Sequence, residues 1–178
     1  MSFAQIQTPR EAVVLVAFSD LTRFASFASG QPLDQLFSTL SDYYLRAGDI
    51  VEPAGGRIVK FIGDAILIVF PEDLVSTGVQ ALLRLREEGD AWLAEIGVPC
   101  RQTVKCHIGP VYCGPIGTRD RQQFDLFGET VNIAATLKSQ GFAITPQVFR
   151  RLDARTRKLL KKQKPPITCT AAGESDVD

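Results

Sequence analysis

Two strongly apolar runs in this chain each meet an aspartate. Val13-Val14-Leu15-Val16-Ala17-Phe18 leads through Ser19 to Asp20, and Asp64 opens Ala65-Ile66-Leu67-Ile68-Val69-Phe70. Runs of this length and composition read as strands. One aspartate therefore sits at the exit of a strand and the other in the tight turn before one. A carboxylate at the edge of a strand that would otherwise be buried is costly unless something compensates it. A hard divalent cation shared by two carboxylates and a nucleoside triphosphate is the natural compensation. Taken singly, each residue also fits a turn former or a helix N-cap, and Gly63-Asp64 fits ordinary hairpin chemistry. The rest of the chain decides between these.

At 178 residues the chain has room for one domain with a real core. Twenty basic residues balance twenty acidic ones, so no strong field favours nucleic acid or an anionic membrane. No apolar run approaches the length of a bilayer span. The start, Met1-Ser2-Phe3-Ala4-Gln5, has neither a charged leader nor an apolar signal core, and a cytoplasmic location is expected. Cys100, Cys106, Cys113 and Cys169 show no paired CxxC spacing and read as reduced, mostly buried thiols. A zinc site from Cys106, His107 and Cys113 is disfavoured because neighbouring strand residues point to opposite faces. The basic stretch Arg155 to Lys164 reads as a solvated helix face.

Strands and helices alternate along the chain. A strand is expected over about Ala12 to Phe18 and a helix over about Leu33 to Glu52, where Leu36, Phe37, Leu40, Tyr44 and Ile50 recur at helical intervals. Gly55-Gly56 breaks that helix. Arg57 to Ile62 and Ala65 to Phe70 form a hairpin, followed by a second long helix from about Asp73 to Ile96. Gln102 to Ile108 and Val111 to Ile116 read as a strand pair punctuated by Gly109-Pro110. A helix from Phe127-Gly128-Glu129-Thr130 to about Lys138 follows, then a short strand at Ala143 to Thr145. Pro146 opens a helix reaching about Lys161, ended by Pro165-Pro166, with an edge strand over Ile167 to Thr170. The order predicts an α+β fold with a ferredoxin-like βαββαβ core, its helices on one face, and an extra C-terminal helix and strand. Residues 1–11 read as an N-terminal extension, 12–170 as the single folded domain and 171–178 as a flexible acidic tail.

Read in order, four motifs resemble the class III nucleotidyl cyclase catalytic domain. Phe18-Ser19-Asp20-Leu21-Thr22-Arg23-Phe24 resembles the family's first metal motif, and Gly55 to Ala65 resembles the second. His107-Ile108-Gly109-Pro110-Val111 with Gly114-Pro115-Ile116-Gly117 resembles its central hairpin. Phe124-Asp125-Leu126-Phe127-Gly128-Glu129-Thr130-Val131-Asn132-Ile133-Ala134-Ala135 resembles its base-and-ribose segment. The motifs span about residues 12 to 150, and four in order are far more specific than any one.

The resemblance implies a head-to-tail homodimer with active sites in the interface. One protomer would hold two Mg²⁺ or Mn²⁺ ions per site through Asp20, Leu21 and Asp64. The backbone of Leu21, Thr22, Arg23 and Phe24 would cradle the triphosphate at a helix N-terminus. The partner would supply Lys60 and Asp125 to the base and Asn132 to the ribose. A carboxylate accepts from an exocyclic amine while the ammonium beside it donates to a ring nitrogen, which suits adenine and rejects guanine. Cytosine offers a similar edge.

Three departures from the family pattern leave other readings open. Thr136 stands four residues beyond Asn132, where the family places an Arg that stabilises charge at the α-phosphate; Lys138 and Arg119 are the nearby cations. Arg23 replaces a Gly of the first motif, and Lys161 to Pro166 does not match the family's late triphosphate-binding Lys. With no sensor domain in the chain, control from outside it is expected. A pyrimidine cyclase making cyclic CMP or cyclic UMP in antiphage signalling is therefore an alternative, as is a degenerate regulatory domain. A diguanylate cyclase is disfavoured because its Gly-Gly-Asp/Glu-Glu-Phe hairpin is absent.

Overall fold

The computed structural model of the chain describes Phe3, residues 6–162 and residues 169–171. Its first strand, β1 (Arg10–Leu21), outlasts its apolar run at both ends and takes in Asp20. Alternate side chains serve two cores. Leu15, Ala17 and Leu21 face one, while Val14 and Val16 face the other. A run without polar alternation suits a strand covered on both sides.

The elements follow as α1 (Phe24–Ala28), α2 (Leu33–Val51), β2 (Arg57–Ile62), β3 (Ala65–Pro71), a 3₁₀ turn, α3 (Val75–Glu95), β4 (Gln102–Gly117), β5 (Gln122–Phe127), α4 (Glu129–Thr136), β6 (Phe142–Ile144), α5 (Pro146–Arg151), α6 (Ala154–Arg157), β7 (Leu160–Lys162) and β8 (Cys169–Ala171). The sheet runs β2-β3-β1-β4-β6-β8-β7, with β5 pairing β4. Its first four strands are antiparallel neighbours, giving the expected ferredoxin-like order. Helices α2 and α3 bury Tyr43, Ala47, Val79, Leu82 and Leu93 in the first core. Helix α4, outside the ferredoxin-like unit, covers the opposite face, where Ala134 joins Val14, Val16, Leu67 and Leu126.

Helix α2 ends where Gly55 adopts a left-handed φ of 81° and Gly56 N–H donates to the Val51 carbonyl at 3.0 Å. Part of the segment read as an N-terminal extension packs against the sheet. Phe3 and Ile6 are buried in the second core, and β1 starts inside that segment, at Arg10.

Several expectations need correction. Gln102 to Gly117 is one continuous strand, not two. The hairpin turn lies at 118–121, and β5 is a strand absent from the expected element order. Helix α4 stops at Thr136 rather than near Lys138. The single helix expected from Pro146 to Lys161 is three elements. Leu152 and Asp153 are extended, and the Asp153 carboxylate accepts from Thr156 N–H at 2.7 Å to cap α6. In the basic stretch, the Arg157 guanidinium donates to the carbonyls of Phe149 and Arg150, closing the end of α5. Pro165-Pro166, residues 167 and 168 of the expected edge strand, and residues 172–178 of the expected tail lie outside the described residues.

Candidate active site

The tip of β1 and the β2–β3 turn bring the two aspartates together. Asp20 is the penultimate residue of β1, opposite Thr103 of β4, whose hydroxyl donates to the Asp20 carbonyl at 3.3 Å. Asp64 occupies the turn after Gly63, whose φ of 61° is left-handed. The Leu21 N–H donates to Asp64 Oδ2 at 3.3 Å across 43 positions of sequence. Burial pushes the Asp20 carboxyl above its ordinary range; nearby Lys105 opposes this, and the charge of Asp64 adds to it. Two carboxylates at close quarters, one half-desolvated, form a site of hard oxygen donors that favours a cation. Among the described residues no cluster of three or more His, Cys, Asp or Glu is poised to hold a metal. Two carboxylates as donors suit an ion that keeps part of its shell for other oxygens, as Mg²⁺ does.

Two aromatic residues of α2, both absent from the sequence-based list, support this corner. Tyr44 donates its hydroxyl to the Gly63 carbonyl and stacks on Phe61, ring centroids 3.8 Å apart, so it braces the turn that carries Asp64. Tyr43 is buried, its hydroxyl 3.0 Å from Ser19 Oγ, and Gln102 Nε2 donates to Ser19 Oγ at 2.7 Å. This buried network ties the strand end that bears Asp20 to α2 and β4. Helical spacing marked Tyr44 only as part of an apolar helix face and did not single out Tyr43.

Lys60 and Asp125 also meet. A register shift between Ile58 and Lys60 in the β2–β3 ladder sets Lys60 opposite Leu67, and its Nζ lies 2.6 Å from Asp125 Oδ2. Asp125 lies on β5 opposite Gly114 and is buried, with its Oδ1 accepting from Leu126 N–H at 2.8 Å. The Lys60 side chain is one third exposed, so solvent reaches the pair from the lysine side.

The remaining positions are arrayed around these pairs. Asn132 is exposed on α4. Four residues on, the exposed Thr136 turns its hydroxyl back to the Asn132 carbonyl at 2.8 Å. Of the amides expected to cradle a triphosphate, Leu21 N–H is donated to Asp64, and Thr22 N–H goes to the Arg101 carbonyl at 2.8 Å. The amides opening α1, around Phe24, have no intrahelical acceptor by position. Arg23, exposed with φ 59°, is the non-glycine in a left-handed conformation among the described residues, at the position where the motif ordinarily has glycine. Arg119 lies in the β4–β5 turn and Lys138 beyond α4. Cys106 belongs to the first core and Cys113 to the second, and His107 Nδ1 pairs with Thr145 Oγ1 at 2.8 Å, so these three do not share a metal.

Residues 6–178 match the model of the adenylate and guanylate cyclase catalytic domain. The chain belongs to that family. Relatives include an adenylate cyclase of Anabaena cylindrica, 28% identical over 152 residues, covering 78% of this chain and 30% of the relative. Adenylate cyclase 2 of Rhizobium meliloti is 27% identical over 164 residues, covering 87% of this chain and 42% of the relative. The cyclase domain thus spans less than half the length of these relatives. Its fold is similar to the crystal structure of the adenylyl cyclase CyaB from P. aeruginosa, with a TM-score of 0.83 at 15% identity over 94% of this chain and 97% of that one. Among the described residues, no helix of the cyclase domain is long and apolar enough to cross a membrane.

Proposed function

We propose that this cyclase domain converts ATP to 3′,5′-cyclic AMP and pyrophosphate, at sites shared between two protomers of a head-to-tail homodimer. The observation that carries this reading is the pairing of Lys60 with Asp125 on the same chain that ties Asp64 to Leu21, next to Asp20. The first pair reads a base; the second holds charge at a polyphosphate.

Asp20, Asp64 and the backbone of Leu21 would hold two Mg²⁺ or Mn²⁺ ions. When bound, such ions acidify the ribose 3′-hydroxyl and neutralise charge on the triphosphate. The backbone at Arg23 and Phe24, with the side chains of Thr22 and Arg23, positions the triphosphate, since the Leu21 and Thr22 amides are donated to Asp64 and Arg101. Asp125 of the partner subunit accepts from the adenine amine, and Lys60 of the partner subunit donates to a ring nitrogen. Asn132 of the partner subunit orients the ribose so that O3′ lies in line with the bond to be broken. The new O3′–Pα bond forms as the Pα–O bond to the β-phosphate breaks; pyrophosphate leaves and the 3′-hydroxyl proton passes to solvent. Protein side chains form no covalent bond, and positioning and electrostatics supply the rate.

CTP is the second reading, because cytosine also sets an amine beside an acceptor and so complements the same Lys60–Asp125 pair. Incubation with ATP, GTP, CTP and UTP, each with Mg²⁺ or Mn²⁺ and read by mass spectrometry, separates these. Cyclic AMP as the dominant product supports the adenine reading, and cyclic CMP or cyclic UMP replaces it with a pyrimidine one. Nucleotide binding without product makes the domain regulatory.

A further inference from the structure

The nucleotide site proposed above asks for positive charge near Asp20, and none of the side chains assigned to that corner is a buried or half-buried cation. Position 136 on α4 carries a hydroxyl, which is spent on the Asn132 carbonyl at 2.8 Å. Arg23 projects from an exposed loop. Another basic residue is better placed. Lys105 lies on β4, opposite Phe18 of β1, two positions along from the Thr103–Asp20 pair. Side chains two apart on a strand share a face, so Lys105 is the diagonal cross-strand neighbour of Asp20. The long lysine stem spans such a diagonal. Its ammonium donates to the Ala135 carbonyl at 3.4 Å, at the C-terminal end of α4, where unpaired carbonyls and the helix dipole favour a cation. Lys105 is partly exposed, and two of its three protons remain for other acceptors.

From this juxtaposition we infer that Lys105 is a triphosphate-binding residue, serving the site built on Asp20 of its own protomer. The position follows from sheet register. Asp20 is two residues beyond Phe18 on β1, and Lys105 two residues beyond Thr103 on β4, so antiparallel pairing sets carboxylate and ammonium on one face at adjacent ladder steps. The electrostatic pull of Lys105 on the Asp20 carboxyl agrees with that placement. A metal at Asp20 and an ammonium beside it would meet different oxygens of one phosphate chain. Helix α4 holds the ammonium in place through the Ala135 carbonyl, so the cation is ordered before substrate arrives. A lysine that served only to close the end of α4 would have no effect on anion binding, and the test turns on that difference.

This inference rests on the shared-site cyclase reading, and the experiments separate the two. Calorimetric binding of pyrophosphate in the presence of Mn²⁺ needs no turnover. Lys105→Met is expected to weaken it at least tenfold, with Lys105→Arg retaining most of the affinity and adenosine binding unchanged in both. An unchanged pyrophosphate affinity, with only a lowered melting temperature, would leave Lys105 as a structural clasp on α4 and overturn the proposal. Mixing variants then assigns the protomer, at ATP concentrations low enough that Lys105→Met is nearly silent. Asp20→Ala with Asn132→Ala should regain about a quarter of wild-type activity, because half the dimers are mixed and each holds one intact site. Lys105→Met with Asn132→Ala should regain activity in the same way, whereas Lys105→Met with Asp20→Ala should not. Recovery in that last mixture would place Lys105 in the opposite half-site and refute the same-protomer assignment. Failure of the first mixture would instead refute the shared site itself, with calorimetry still deciding whether Lys105 binds the anion.

Discussion

The Nζ of Lys60 lies 2.6 Å from Oδ2 of Asp125, although 65 positions separate them in the chain. The β2 bulge turns the lysine onto its face, and the β4–β5 hairpin delivers the carboxylate. A buried carboxylate is tolerable there because an ammonium meets it. Lys60→Met should therefore cost about 1 kcal/mol after allowance for solvent screening at the lysine, and Asp125→Asn on that background should restore part of it. Urea unfolding of the four members of the double-mutant cycle measures the coupling. A coupling near zero would show the pair to be incidental to stability.

Asp64→Asn keeps an oxygen for the Leu21 N–H while removing the charge that the proposed cation site would use. The fold should survive, and turnover with saturating Mn²⁺ should fall on the order of 10³-fold. A melting temperature within a few degrees of wild type, with turnover within tenfold of it, would remove Asp64 from the metal site.

Gly78 lies in α3 where the helix packs against Phe70 of β3. A Cβ there would sit 2.7 Å from Phe70 Cγ and 3.1 Å from Leu15 Cδ2. In an exposed helix Gly→Ala stabilises by about 1 kcal/mol. Here the helix must lift from a fully buried ring, and overpacking costs about 1–3 kcal/mol. We expect Gly78→Ala to destabilise the domain, measurable as a lower urea midpoint; a raised midpoint would mean the helix–sheet spacing is adjustable.

Burial holds the His107 imidazole below its ordinary value of 6.5, and Glu129 opposes this only in part. The unfolded chain therefore binds a proton near pH 6.5 that the folded chain resists. Stability contributed by neutral His107 is full above pH 6.5 and is lost as pH falls from there toward the depressed folded value. His107→Gln, which can still reach Thr145, should flatten that part of the curve. Unfolding at pH 7.5, 6.5 and 5.5 compares the slopes; identical slopes in wild type and variant would rule His107 out as the titrating group.

Local pattern was enough for α2, α3, β2 and β3, because helical spacing, a glycine pair and a Gly-Asp turn act over a few residues. It failed at Gly109-Pro110, where a break was expected inside what is one strand. The reason is tertiary. At positions 107–111 β4 has β1 on one side, while β6 pairs only 104–106 and β5 only 112–117 on the other. Proline, which has no N–H to give, is accommodated in that gap, and Thr130 of α4 donates to the Pro110 carbonyl at 2.7 Å. The helix after Pro146 failed for a related reason. Its composition permits a continuous helix, and the Asp153 cap with the Ser76 hydroxyl accepting from Asp153 N–H turns the chain instead.

The candidate site divides along the same line. Asp20, Asp64, Lys60, Asp125 and Asn132 were all legible because each lies in a short motif whose order along the chain is itself informative. Lys105, Tyr43 and Tyr44 were not, since nothing adjacent to them in sequence distinguishes a strand lysine or a core tyrosine from any other. Chain order and apolar periodicity set which strands and helices exist, and they named the two carboxylates. Which residues meet was left to sheet register and to packing between distant elements. Those pairings join positions 43 and 65 residues apart, and local pattern contains no information on contacts whose energy exists only once the sheet has closed.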